Sequence, residues 1–146
     1  MSTLPKHIVI TGPTAGIGRA AALSLASQGA QLTLLCRNLE KGLALSEAIE
    51  REGGLKPHLV QMDMASLQSV RTAAASVLDL GLPIDVLLNN AGLINSHRRE
   101  TPDGFEETLA VNHLAPFLLT GLLLPAILQA APGARTVNVA SGAHSC

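Results

Sequence analysis

Short apolar runs alternate along this chain with stretches whose apolar residues recur every three to four positions, and that alternation predicts the elements. Ile8-Val9-Ile10 is a strand that ends in a glycine-rich turn. Ala15 to Gln28 follows, with Ile17, Ala21 and Leu25 spaced for one helical face and Gly29 as its C-terminal stop. Gln31 to Cys36 is a second strand, and Asn38 can cap a helix reaching about Glu52, where Gly53-Gly54 ends it. His58 to Met62 is a third strand. Ser66 then caps a helix that turns Leu67, Val70, Ala74, Val77 and Leu78 inward and stops at Gly81. Ile84 to Leu88, entered through Pro83, is a fourth strand. A polar loop, Asn95 to Asp103, leads into a long helix from about Gly104 to Ala130, and Thr136 to Ala140 is a fifth strand.

Strands separated by helices of this length require βαβ crossovers and therefore a parallel sheet. Parallel strands are covered on both faces, so they read as unbroken apolar runs, as IVI, LTLL and VLL do here. Right-handed crossovers make this an α/β fold with a doubly wound, Rossmann-type parallel sheet and an expected strand order of 3-2-1-4-5. Residues 1–146 form one such domain, expected to be truncated after the fifth strand.

Composition excludes several classes. The chain is 47% hydrophobic and 14% charged, too apolar for disorder. It has two Phe, no Tyr and no Trp, so aromatic platforms for bases are lacking. A net charge of −1 with scattered Lys and Arg leaves no nucleic-acid footprint; the pair Arg98-Arg99 reads most simply as solvated surface, with contact to a partner or ligand as the alternative. Cys36, Cys146 and the five His show no metal-ligand spacing. The start MSTLPKHIVI is broken at Thr11-Gly12-Pro13 before an apolar leader could form, which sets a cytoplasmic expectation.

Leu114 to Ala134 carries no charge and has the length of a membrane span. Pro116, Pro125, Pro132, Gly121 and Gly133 interrupt it, so a buried core helix is expected and no membrane span. Leu114, Leu118, Leu122 and Leu123, broadened by Phe117 and Leu124, are expected to offer an apolar surface for homo-oligomer formation or other association.

The chemistry sits after the first strand, in Thr11-Gly12-Pro13-Thr14-Ala15-Gly16-Ile17-Gly18. Gly12 permits a tight turn, Gly16 lets backbone approach a phosphate, and Gly18 lets the helix pack closely. Unpaired N–H groups and the positive dipole end of the helix then suit a pyrophosphate, with Thr14 and Ile17 on the loop. The spacing Gly-x-x-x-Gly-x-Gly differs from the commoner Gly-x-Gly-x-x-Gly, and a ligand-free turn remains open on the loop alone.

With this loop come Asp63 after the third strand, Asn89-Asn90-Ala91-Gly92 after the fourth, Asn112 in the long helix and Ser141 after the fifth. Together they resemble the short-chain dehydrogenase/reductase family, whose loop reads Thr-Gly-x-x-x-Gly-x-Gly. CRNLEKG (36–42) and VNHLAPFLLT (111–120) resemble its retinol-dehydrogenase branch. The resemblance implies a nicotinamide cofactor and a small-molecule alcohol or carbonyl substrate. It also implies roles. An acid at the end of the second strand would serve NAD, whereas neutral Cys36 followed by Arg37 favours NADP(H) over NAD(H). Ala15 departs from this, standing where many NADP-users of the family place a second basic residue. Asp63 would contact adenine, and Asn90, Ala91 and Gly92 would border the adenosine side. Asn112 would hold a water of the proton relay, and Ser141 would hydrogen-bond the substrate oxygen. Their bland readings are a turn residue, a turn, a core amide bonded to backbone and a post-strand serine.

The family also uses a Tyr and, four residues on, a Lys, in the helix after the serine loop. These 146 residues contain no Tyr, so on their own they are expected to be inactive. A non-catalytic dinucleotide-binding or interaction remnant is the alternative. A methyltransferase on a similar sheet is disfavoured, because Cys36 stands where it would need an acid for the ribose hydroxyls.

Overall fold

The computed structural model describes residues 4–142. Its elements follow the expected alternation: β1 (His7–Thr11), α1 (Gly16–Ser27), β2 (Gln31–Cys36), α2 (Leu39–Arg51), β3 (His58–Gln61), α3 (Leu67–Asp79), β4 (Val86–Asn89), α4 (Glu107–Leu128) and β5 (Arg135–Asn138). All pairings are parallel, and the sheet runs β3-β2-β1-β4-β5. The expected doubly wound order is therefore the observed one.

Central β1 is buried along its length, with Ile8 opposite Leu32 of β2 and Val86 of β4. Alternate residues feed two cores. Val9, Leu35 and Leu87 pack with Val70 and Val77 of α3 and Leu119 and Leu123 of α4. Ile8, Ile10, Leu32 and Leu34 face Ala22 and Ala26 of α1 and Leu45 and Ile49 of α2. Covering both faces explains why the strands carry no polar alternation.

Three helix faces differ from expectation. In α1 the buried positions are Gly18, Ala22 and Ala26, one step round from Ile17, Ala21 and Leu25, and Ile17 is 71% exposed. The helix lies so close to the sheet that only the smallest side chains fit beneath it. In α3, Ala73 joins the buried face and Leu78 is exposed. Helix α4 buries Ala115, Leu119, Leu123, Ala126 and Ile127 while packing on α3. Leu123 is thus core, and the exposed strip is Phe117, Leu124 and Leu128. The helix is long and apolar enough to cross a bilayer, and its inner face is built into the core. β5 is exposed throughout.

Candidate functional site

β1 delivers the chain to the carboxyl end of the sheet, where Gly12 turns it with φ of 61°. A Cβ on Gly12 would lie 2.9 Å from Ala91 Cα, so glycine is needed for conformation and for space. Gly16 also has a positive φ, 54°, but a Cβ there would meet nothing within 4 Å. Gly12 therefore shapes the loop, and Gly16 leaves it open. A Cβ on Gly18 would overlap the Gly12 carbonyl and the Asn90 amide. The close packing expected of Gly18 is thus against the loop's own first turn and the segment after β4.

That segment is locked to the loop. The Asn90 side chain donates to the Gly12 and Thr11 carbonyls, at 3.0 and 3.3 Å. The backbone N–H groups of Asn90 and Ala91 both donate to Thr11 Oγ1 at 3.0 Å. Sequence reasoning gave Thr11 no task. Its signal was available, because a hydroxyl at the buried end of a central strand needs partners.

Helix α1 starts without a side-chain cap from Ala15. By contrast, Asn38 caps α2 through Lys41 N–H, Ser66 caps α3 through Ser69 N–H, and Glu106 caps α4. The first-turn N–H groups of α1 and its positive dipole end therefore suit an anion. Beside them lies a cleft of about 450 Å³ that reaches Gly12, Thr14, Arg37, Asp63, Asn90 and Gly92. Ala91 lines it too. Gly16 and Ile17 stay exposed at the loop, and Gly18 is buried beneath it.

Cys36 ends β2 inside this cleft, and burial pushes its thiol upward, so it stays neutral near pH 7. The exposed Arg37 follows it. Asp63 Oδ1 accepts from Ala65 N–H at 2.9 Å, and Asp63 N–H donates to Ser69 Oγ at 2.8 Å. The turn role of Asp63 and its place in the cleft therefore coexist. The sequence reading missed Lys41 and an apolar wall of Met62, Met64 and Val111. Lys41 stands four residues beyond Arg37, a spacing visible in the sequence.

The other two site residues lie towards β5. Asn112 sits in a π-helical turn, Ala110–Leu114, where Ala115 N–H reaches back to the Ala110 carbonyl. Such turns are frequent at functional sites. The Asn112 amide is exposed rather than immersed among apolar residues: it donates to the Leu93 carbonyl at 2.8 Å and accepts from Leu93 N–H at 2.9 Å. It clamps the exit of β4 to α4. Nearby, Asn89 Nδ2 donates to Thr120 Oγ1 (3.1 Å) and Asn138 Oδ1 (2.9 Å), while buried Asn89 Oδ1 has no partner. Ser141 is exposed beyond the carboxyl end of β5. The preceding Ala140 and Asn112 share a second cavity of about 550 Å³ between α4 and β5.

A family model described as short chain dehydrogenase matches residues 6–145. Retinol dehydrogenase 13 of Homo sapiens is 41% identical over 98% of this chain and 44% of its own length. Polyprenol dehydrogenase of Mus musculus is 43% identical, over 93% of this chain and 42% of its own length. The chain thus spans less than half the length of these curated relatives. Among solved structures, a metagenomic short-chain oxidoreductase in complex with NADP has a TM-score of 0.82 and 33% identity, covering 96% of this chain and 64% of its own.

Proposed function

The chain belongs to the short-chain dehydrogenase family, and from that premise we propose an oxidoreductase domain that binds NADP(H) in preference to NAD(H) and serves an alcohol or carbonyl substrate. The observation that carries the reading is one cleft joining the glycine turn beside the uncapped α1 to Arg37 beside a neutral, buried Cys36. The bound dinucleotide supplies the hydride donor or acceptor. The Gly12–Gly18 backbone and the α1 dipole hold the pyrophosphate, and Arg37 holds the adenosine phosphate. Asp63 and the Asn90–Gly92 segment border the adenosine. Ser141 holds the substrate oxygen, and Asn112 fixes the segment after β4 against α4. Relatives named for retinol and polyprenol support a long apolar alcohol or its aldehyde as substrate.

These 146 residues hold no Tyr, and a serine hydroxyl is a poor proton donor at neutral pH. The 146-residue polypeptide is therefore proposed to bind nucleotide without turning over. Following NADPH absorbance with a panel of aldehydes and ketones tests this, and a substantial rate would mean another proton donor. Association is proposed through Phe117, Leu124 and Leu128 of α4, since large exposed apolar patches are rare on monomers. Light scattering from a stable dilute monomer would contradict it. For the cofactor, titration with NADPH and NADH should favour NADPH, and Arg37→Ala should remove about tenfold of that preference, the worth of one charge-assisted phosphate contact. Equal affinities, unchanged by the substitution, would overturn the reading.

A further inference from the structure

We infer that Asp103 is a positioning residue for the nucleotide cleft: it ties the connection between β4 and α4 to the first turn of α3. In this way it fixes the adenosine end of the cleft from outside. The inference rests on the nucleotide reading proposed above and adds a residue that does not touch the ligand. The connection leaves the cleft at Leu93 and returns to it at Glu107, and none of residues 94–106 lines it. Within that excursion Asp103 Oδ2 accepts from Leu67 N–H at 2.9 Å, across 36 positions of sequence.

The turn that presents Asp103 has little freedom. Thr101 is buried, and its N–H donates to the Phe105 carbonyl at 2.7 Å. Its hydroxyl accepts from Phe105 N–H at 3.3 Å and its carbonyl from Gly104 N–H at 2.9 Å, with Gly104 at φ of 84°. Behind the turn, Glu107 N–H donates to the Arg99 carbonyl at 2.8 Å, and the Asn95 amide donates to Glu107 Oε1 at 2.9 Å. The two limbs of the connection are therefore bound to each other. Asn112 binds its start to α4 through Leu93. On the far side, Ser66 caps α3 through Ser69 N–H, so Leu67 N–H is a separate first-turn donor. Helix α3 has no acid in its own first turn, and Asp103 brings a carboxylate to its positive dipole end. That same turn carries the cleft wall. Ser69 Oγ accepts from Asp63 N–H at 2.8 Å, and Ser66 N–H donates to the Asp63 carbonyl at 3.0 Å. Asp63, Met64 and Ala65 line the cleft. An unbroken series of contacts thus runs from α4 through Asp103 to the residues that border the adenosine on the proposed reading, and such a series transmits a constraint without touching the ligand.

The test measures affinities of the full chain for NADPH, NADH and 5′-AMP by calorimetry, with Asp103→Ala and Asp103→Asn beside the unaltered protein, at a temperature where each is folded. Amide hydrogen exchange is followed with and without NADPH. Asp103→Ala should weaken NADPH and 5′-AMP by a similar factor, about two- to thirtyfold, the range for residues that act on a site through their neighbours. Asp103→Asn, whose amide oxygen still accepts from Leu67, should lose less. By reciprocity, NADPH should slow exchange within residues 99–106 of the unaltered protein, although they do not line the cleft, and Asp103→Ala should abolish that protection. Full affinity in Asp103→Ala with only a lower melting temperature would reduce Asp103 to a helix cap and overturn the inference. Weakening of NADPH with 5′-AMP unchanged, or an Asn variant as weak as the alanine one, would overturn it too. So would the absence of NADPH-dependent protection in the unaltered protein, a readout that needs no variant to fold. Failure of the unaltered protein to bind NADPH or NADH would instead overturn the nucleotide reading itself.

Discussion

The two ends of the sheet treat their polar groups in opposite ways. At the amino end, His7 is buried in β1 with both ring nitrogens engaged. Nδ1 lies 2.9 Å from the Pro83 carbonyl, which can only accept, so Nδ1 carries the hydrogen and Nε2 accepts from the Thr33 hydroxyl at 2.7 Å. His7 N–H donates to Asp85 Oδ2, and Lys6 pairs with the same carboxylate. At the carboxyl end, α1 lacks a side-chain cap, Asn89 Oδ1 is buried without a partner, and Arg37 and Lys41 share a cleft with no ion pair between them and any described carboxylate. The unpartnered groups thus gather at the carboxyl end, the end at which open α/β sheets bind their ligands. The amino end ties its polar groups into the sheet, and the carboxyl end carries the cleft proposed for the nucleotide.

The sharpest way to break that division is Gly18→Ala. Its methyl would enter the Gly12 carbonyl and the Asn90 amide. Overpacking of this kind should cost about 2–3 kcal/mol in a denaturant melt, and nucleotide binding should collapse with it. Near-normal stability and affinity would show that α1 does not need its close approach.

His7→Ala strikes the other end. It unpairs the Pro83 carbonyl and the Thr33 hydroxyl and should cost about 1–3 kcal/mol, with NADPH affinity unchanged in the folded protein. A matching fall in affinity would mean the two ends are not independent.

Gly16→Ala sharpens the contrast within the loop. Its φ of 54° strains a side chain, but the space is open, so stability should fall by only about 1 kcal/mol. Nucleotide affinity should fall about tenfold or more, because on the proposed reading the methyl would occupy the approach of the phosphate. Unchanged affinity would remove Gly16 from the phosphate path.

The smallest effect is in pH. Burial, reinforced by nearby His58, holds the His7 pKa below its ordinary 6.5, while the Pro83 hydrogen bond and Asp85 oppose that fall. As pH drops through 6.5 the unfolded chain takes up a proton that the folded chain resists, so stability declines below 6.5 and is flat above it. Melting curves across that range should show the slope, and His7→Gln should flatten it. A slope that survives the substitution would have to come from another group.

The strands were legible because burial on both faces demands unbroken apolar runs, and the caps at Asn38 and Ser66 were legible because each needs only its own neighbours. The helix faces were less so. Ile17, Ala21 and Leu25 have helical spacing, yet Gly18, Ala22 and Ala26 face the sheet, since depth of approach depends on the partner surface. The glycine loop and its partners after β4 could be placed in order along the chain. That Thr11 binds both Asn90 and Ala91, and that Asn112 clamps Leu93, could not, because those contacts join residues 79, 80 and 19 positions apart.

By itself, then, the sequence determined the parallel α/β order, the turn at Gly12, the open backbone at Gly16 and the identity of the charged residue that follows β2. Each depends on local conformation or on the period of apolar residues, which a linear pattern carries directly. Only the tertiary structure decided which charges share a cleft and which polar groups stay unpaired. Bringing Lys41 to the cleft of Arg37 depends on how tightly α2 begins against β2 and β3, and pairing His7 with Thr33 and Pro83 depends on β1, β2 and the segment leading into β4 meeting at one end of the sheet.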